Sequence, residues 1–294
     1  MGRIARVFPR RTRATPDDEL AFTDPPGLFP PPVDEVHISV AFTWDLPRAE
    51  WLADQWASVA PVKIGGPALG TRGEGFEPGM YVRPGYTITS RGCPNRCWFC
   101  SVWHRDGDIR ELAIKPGYDI LDDNLLACSE EHIRAVFAML REQPCMKRQL
   151  TGGLEAARLK AWHVEELWRT KPRQMFFAYD TPDDLEPLQR AGRMMLDAGW
   201  TRRAKRLRCY VLVGFPKDTT EDATARLRQT LDAGFVPMAM LWRSAKGDVA
   251  PDWKRFQRGW ARPAIIGAQN QQRGQRHGTQ TEAKTEPTLP RDKR

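Results

Sequence analysis

Arg91-Gly92-Cys93-Pro94-Asn95-Arg96-Cys97-Trp98-Phe99-Cys100 places three thiols within eight residues, and no fourth metal ligand follows them on the same loop. Structural zinc takes four protein ligands in a closed tetrahedron. Three cysteines on one short loop instead match three corners of an iron-sulfur cube and leave one iron open to a ligand. A zinc site that borrows Cys128, Cys145, Cys209 or His104 is the competing reading, and the scatter of those residues along the chain weighs against it. Six cysteines in 294 residues with no apolar leader segment fit a reducing compartment, so a disulfide framework is not expected and a cytoplasmic location is. For Cys128, Cys145 and Cys209 the default expectation is plain burial.

Working outward, Tyr86 to Ser90 is an apolar, β-prone run that feeds directly into the cysteine loop, and strand-like and helix-like segments alternate after it. The strands read as Gly117 to Leu121, Met146 to Leu150, Gln174 to Tyr179, Leu207 to Gly214 and Val236 to Trp242. Between them run amphipathic stretches: a helix capped by Ser129, then Glu155 to Thr170, Leu185 to Ala198 and Thr220 to Ala233. Continuous apolar strands separated by such helices imply a parallel sheet covered on its outer face. The fold class is α/β, read as a partial (β/α)6 TIM-type barrel, with an open doubly wound sheet as the alternative. Ligands of either architecture sit on the loops at the carboxyl ends of the strands.

The C-x3-C-x2-C spacing, with Phe99 before the last cysteine, resembles the signature of the radical S-adenosylmethionine superfamily. That resemblance covers about Tyr81 to Arg243 and implies that Cys93, Cys97 and Cys100 ligate a 4Fe-4S cluster. It implies further that the open iron chelates S-adenosylmethionine, whose reductive cleavage gives a 5'-deoxyadenosyl radical that abstracts hydrogen from a substrate. An external one-electron reductant of the flavodoxin or ferredoxin type is implied as a partner.

The resemblance also marks cofactor-binding candidates by position. Asp122, Asp123 and Asn124 end the second strand, where the family places acceptors for the methionyl ammonium; a turn or helix cap is the plainer reading. Thr151-Gly152-Gly153-Leu154-Glu155 is similar to the family's Gly-Gly-Glu motif, interrupted by Leu154, and Gly152 and Gly153 equally serve a strand-to-helix turn. Tyr179 and Asp180 end the fourth strand, at the level of the ribose hydroxyls, and the strand ending at Gly214 is similar to the one that packs on adenine. Asp218 and Glu221 read as residues that cap and charge the next helix.

Upstream, residues 1–35 read as a Pro/Arg-rich arm, with Pro25-Pro26-Gly27 and Pro30-Pro31-Pro32. Residues 36–80 read as one small β-α-β unit: a strand Val36 to Phe42, a helix Leu46 to Val59 with Asp45 as N-cap, and a strand Pro61 to Pro67. Its Ile64-Gly65-Gly66-Pro67 turn resembles the end of the cobalamin-binding domains that precede some radical domains. The unit is too short for such a domain and lacks an Asp-x-His-x-x-Gly motif, so cobalamin is not expected.

Residues 81–243 form the radical core, and residues 244–294 a basic helix bearing Trp253, Phe256 and Trp260, followed by a tail expected to be disordered beyond Gly267. The formal charge of +8 is uneven: residues 1–16 carry five arginines and no acid, and residues 244–294 a net +6. These flexible basic ends make a nucleic acid or peptide the favoured substrate class. They also sustain the other class of function, a non-catalytic metal-cluster module that holds nucleic acid. No run of about 20 apolar residues offers a membrane span.

Overall fold

The computed structural model describes residues 2–73, 75–244 and 246–260. It opens with a four-stranded parallel sheet built from β1 (Ile4–Val7), β2 (Ala21–Phe22), β3 (Glu35–Ser39) and β4 (Val62–Gly65), in the order β2-β1-β3-β4. Helix α1 (Leu46–Trp56) links β3 to β4 and buries Ala49, Leu52 and Trp56 against Ala5, Val7, Val36 and Ile38.

The extended arm expected over residues 1–35 is therefore corrected: β1 lies inside the sheet, paired with β2 on one side and β3 on the other. Arg6 disguises it. The arginine is 8% exposed, and its guanidinium donates to the carbonyls of Gly79 (2.6 Å) and Met80 (3.2 Å) and pairs with Asp18, so a residue that reads as a surface charge closes the unit from within. Asp45 is a second correction. It makes no side-chain cap on α1; its buried carboxylate takes a bidentate pair from Arg10 at 2.9 and 2.6 Å. With Arg3 against Glu19 as well, three of the five N-terminal arginines are engaged in ion pairs.

The second sheet begins with β5 (Tyr86–Thr87). A short antiparallel ribbon of β6 (Ser90–Arg91) and β7 (Arg110–Glu111) then encloses the cysteine loop and α2 (Val102–Arg105). There follow β8 (Asp119–Ile120), α3 (Glu130–Glu142), β9 (Gln149–Leu154), α4 (Ala161–Thr170), β10 (Gln174–Tyr179) and α5 (Leu185–Asp197). The unit ends with β11 (Leu207–Val213), α6 (Thr220–Asp232), β12 (Val236–Leu241) and α7 (Pro251–Trp260). Ser129 caps α3, its hydroxyl accepting from the His132 amide at 3.2 Å.

All neighbours pair in parallel in the order β5-β8-β9-β10-β11-β12. A sheet wound in one direction without reversal puts every right-handed crossover helix on one face, which curls it into a partial barrel and excludes the doubly wound alternative. The outer core is continuous: Met175, Phe177 and Tyr179 of β10 and Cys209, Val211 and Val213 of β11 pack against Leu188 and Met195 of α5 and Leu227 of α6.

The third strand differs from its reading. Met146 lies in a single 3-10 turn, and the strand runs on through Thr151-Gly152-Gly153 to Leu154. The register jumps there, with Leu150 opposite Met175 and Leu154 opposite Phe177, so the three intervening residues bulge out of the ladder and Leu154 returns to the core. Helix α4 starts at Ala161 rather than Glu155, after a 3-10 turn over Ala156–Arg158. The tail expected to be disordered lies outside the described residues.

Helix α5 crosses closest to the α6–β12 turn at Gly192, where a β-carbon would stand 1.9 Å from the Ala233 carbonyl oxygen. Alanine gains about 1 kcal/mol of helix propensity over glycine, whereas overpacking a buried contact costs up to about 3 kcal/mol. Gly192→Ala is expected to destabilise the fold by about 2 kcal/mol net, read as a lower urea midpoint at unchanged slope; a raised midpoint would contradict this packing.

Candidate metal and cofactor site

The cysteine loop is pinned before its thiols come into play. Gly92 turns at φ +87°, where a β-carbon would lie 2.2 Å from the Asp108 carbonyl oxygen, so only glycine lets the two arms of the β6–β7 ribbon approach this closely. The Gly92 amide donates to Asp123 Oδ2 (3.0 Å) and the Cys93 amide to the Gly107 carbonyl (3.0 Å). Further along, the Cys97 carbonyl accepts from the Cys100 amide and from the Trp103 indole, each at 3.1 Å.

From these anchors the loop runs over the carboxyl edge of the barrel. Cys93 Sγ accepts from Asn124 Nδ2 at 3.4 Å, just past β8. Cys97 lies within electrostatic reach of Asp180 and Asp184, past β10. Trp98 meets Phe215, past β11, edge-on with ring centroids 5.6 Å apart.

The three thiols feel one another. Burial, then the charges of Cys100 and Cys93, push the Cys97 thiol up to about 11, and burial raises Cys100. Thiols so arranged ionise together only when a cation shares them. Among the described residues no three His, Cys, Asp or Glu side chains converge on one metal position. The donor set nevertheless fits an iron-sulfur cluster by its chemistry: three sulfurs on a pinned loop, with an amide N–H already directed at one of them.

The acidic triplet after β8 divides into different tasks. Asp122 is 1% exposed and accepts from the Thr89 amide (2.6 Å), the Thr89 hydroxyl (2.6 Å) and the Ser90 hydroxyl (2.7 Å). With its oxygens so engaged it fastens the β5–β6 corner and offers nothing to a ligand. Asp123 faces Gly92 and, at longer range, Arg91 and Arg105.

Asn124, 4% exposed, ties the cysteine loop to the end of β9. Its amide nitrogen also donates to Glu155 Oε2 (2.6 Å), while its buried Oδ1 has no partner. Glu155, steadied by Arg158 at 2.6 Å, joins the site as a carboxylate at the start of the 3-10 turn that precedes α4, not within the helix. The glycine pair followed by a glutamate carries the signal: Thr151, Gly152 and Gly153 bulge out, Leu154 returns to the ladder opposite Phe177, and the glutamate after it reaches Asn124.

Gly152 and Gly153 lie in that bulge. A β-carbon on Gly152 would meet the Asp122 carbonyl oxygen at 2.2 Å, so this glycine serves close packing, whereas nothing lies within 4 Å of one on Gly153. Tyr179 is corrected: it is 2% exposed on the helix side, its hydroxyl donating to Gln229 Oε1 at 2.7 Å, so it does not reach the mouth. Asp180 does reach the mouth, next to Cys97, and accepts from the Leu212 amide at 3.0 Å.

Gly214 donates its amide to Asp218 Oδ2 (2.8 Å) and packs beneath Trp253. Asp218 pairs with Arg226 and does not cap α6, a task that falls to Thr219. Of the remaining cysteines, Cys209 is buried as expected and Cys128 partly so, but Cys145 is exposed.

No protein-family model and no curated protein matches the chain. Nine solved chains do match in structure. One is the radical S-adenosylmethionine methyltransferase TsrM from Kitasatospora setae, with cobalamin and a 4Fe-4S cluster bound, at a TM-score of 0.55 and 12% identity over 74% of this chain and 66% of that one. TsrM with a tryptophan substrate and an S-adenosylmethionine analogue bound matches at 0.53 and 12% identity, over 72% of this chain and 62% of that one. The chain thus spans just under two thirds of the length of these structures.

The likeness shows the fold alone: an α/β chain whose six-stranded parallel sheet forms a partial barrel. The expectation against cobalamin is not supported: the unit on whose shortness it partly rested is a four-stranded sheet, and one of the matching structures has cobalamin bound, although the Asp-x-His-x-x-Gly motif is missing here. No helix among the described residues is long and apolar enough to cross a membrane.

Burial, and then the charge of Asp184, raise the Asp180 carboxyl from its ordinary 3.8 to about 7. A carboxyl whose folded pKa lies above its unfolded value binds more protons when folded, so its contribution to stability falls as pH rises from about 4 to about 7, by at most about 1.4 kcal/mol per pH unit. Asp180→Asn keeps an acceptor for the Leu212 amide without the charge. It is expected to flatten the pH dependence of urea unfolding across that window, and an unchanged profile would count against a neutral Asp180.

Proposed function

We propose that the chain is a radical enzyme that holds one 4Fe-4S cluster on Cys93, Cys97 and Cys100 and uses it to cleave S-adenosylmethionine reductively. The observation that carries this reading is the placement of a three-thiol loop, with no fourth ligand, across the carboxyl edge of a one-way-wound parallel barrel. When bound, the cluster supplies the single electron that breaks the sulfonium bond and leaves a 5'-deoxyadenosyl radical to take hydrogen from the substrate.

The chain's own residues bind and orient. Asn124 Oδ1, buried and without a partner, and the Glu155 carboxylate are acceptors suited to the ammonium of a methionyl group. Asn124 also links that pair to Cys93, so ligand position and thiol position are set by one side chain. Asp180 is the carboxylate nearest to hand for ribose hydroxyls, and the open space at Gly153 leaves the edge of β9 accessible.

A binding module that merely holds nucleic acid has no use for this arrangement. The favoured substrates are a nucleic acid or a peptide, and three of the five N-terminal arginines, spent in ion pairs, are not available to hold either. The likeness to a methyltransferase with cobalamin bound makes a methylated product the first to look for, and cobalamin the first added cofactor to titrate.

After anaerobic reconstitution with iron and sulfide, the dithionite-reduced protein is expected to show a reduced-cluster electron paramagnetic resonance signal. It should release 5'-deoxyadenosine from S-adenosylmethionine, and Cys97→Ala should lose both, while Cys145→Ala keeps them. Zinc uptake without iron, or an intact cluster in Cys97→Ala, would overturn the assignment.

A further inference from the structure

The barrel's charge is shared unevenly between its two edges. The exposed acids that open its helices, Glu130 and Glu131 of α3, Glu186 of α5, and Glu221 and Asp222 of α6, stand at the carboxyl edge with the cysteine loop. The chain returns from each helix to the next strand at the amino edge. There residues 141–148, 165–173, 197–208 and 228–235 hold twelve basic and five acidic side chains, a net +7 beside a chain total of +8. Nine of the twelve bases are exposed, against four of the five acids.

The fifth acid, Glu166, is buried and holds Arg134, Arg141 and Arg169. Arg148 turns back onto the carbonyls of Gln143, Thr170 and Arg141, and Arg202 and Arg208 also donate to carbonyls. Lys147, Lys171, Arg173, Arg203, Lys205 and Arg206 are exposed, and none has an ion-pair partner among the described residues. Attraction to a helix C-terminus accounts for Lys171 at the end of α4, but the other five lie beyond the α-helices. Backbone bonds set their turns side by side: the Arg173 amide donates to the Arg148 carbonyl at 2.7 Å, and the Met175 amide to the Arg206 carbonyl at 3.0 Å.

Apolar side chains share this edge. Pro144, Cys145 and Met146 are all exposed in the turn before β9, Met146 by 77%. Trp168 is 44% exposed near the end of α4 and is met edge-on by Trp200 at 5.5 Å. A single-stranded nucleic acid calls for flat faces on which bases stack, and proline, cysteine and methionine offer none. The boundary between lipid headgroups and acyl chains takes apolar tips and indoles together, with cations around them.

We propose that the amino edge of the barrel is a docking surface for an anionic lipid bilayer, with Met146 and Trp168 at the acyl boundary and the six cations among the headgroup phosphates. The negative surface potential of such a bilayer falls off within a Debye length, so attraction needs the cations on one face, where the four turns put them. Docked this way, the barrel turns its cysteine loop away from the lipid.

The test is co-sedimentation of the full-length protein with vesicles of phosphatidylcholine containing about one third phosphatidylglycerol, and with vesicles of phosphatidylcholine alone. The wild type is expected to bind the first and not the second, and to come off as salt rises. Lys171 and Lys205 hold φ 49° and 52°, a region that glycine enters without strain, so Lys171→Gly/Lys205→Gly removes two charges without disturbing the fold. Each cation at an anionic surface contributes about fivefold in affinity, so the double variant is expected to bind about twentyfold more weakly at an unchanged or raised urea midpoint. Lys217→Gly makes the same change at φ 69° on the carboxyl edge and is expected to bind like wild type. Met146→Asp is expected to weaken binding severalfold.

Equal binding to both vesicles, wild-type affinity in the double glycine variant, or an equal loss in Lys217→Gly overturns the proposal. Tighter binding to a single-stranded RNA oligonucleotide than to the anionic vesicles would give the surface to nucleic acid and overturn it as well. Neither the cluster nor S-adenosylmethionine enters this assay, so its outcome is independent of the cluster reading.

Discussion

A single buried carboxylate holds the working end of the barrel together. Asp122 draws the Thr89 amide and two hydroxyls, from Thr89 and Ser90, onto the end of β8, and so fixes the corner from which the cysteine loop departs. The β5–β8 ladder supplies only two residue pairs, so without that carboxylate little would set the loop's position over the mouth. A buried carboxylate stripped of its donors costs several kcal/mol, which makes the corner all-or-none: assembled with its three donors or lost.

The carboxyls around the loop are buried ones. Asp122, Asp123 and Asp180 sit inside, where burial raises each carboxyl and limits the negative charge close to the thiols. A cluster on three thiolates carries net negative charge of its own, and burying more carboxylate beside it would be unfavourable at close range. Among the cations Arg105 is as buried as the Asp123 it faces, Arg91 is partly buried and Arg96 stands in solvent.

Much of the barrel was legible in the sequence because its strands are buried on both faces and its helices on one, patterns that composition records directly. Gln174–Tyr179 was read to the residue, and Leu207–Val213 to within one. The failures share a cause: a side chain whose partner lies far along the chain. Arg6 is answered by Gly79 and Met80, Asp45 by Arg10, Asp122 by Thr89, and no local pattern announces such a match. The bulge in β9 is of the same kind, since it shows only against the register of β10. The three cysteines stand out by their spacing, and Glu155 by the glycine pair before it. Asp184 does not, because the fold and not the sequence brings it near Cys97.

The ladders of the second sheet are unequal. β10 pairs with β11 over five residues and β11 with β12 over six, whereas β5–β8 and β8–β9 have two pairs each. Protection against local opening follows such pairing, so the seam beside the cysteine loop is the one that parts at least cost. The barrel is thus least firmly laced directly beneath the loop that carries the three cysteines.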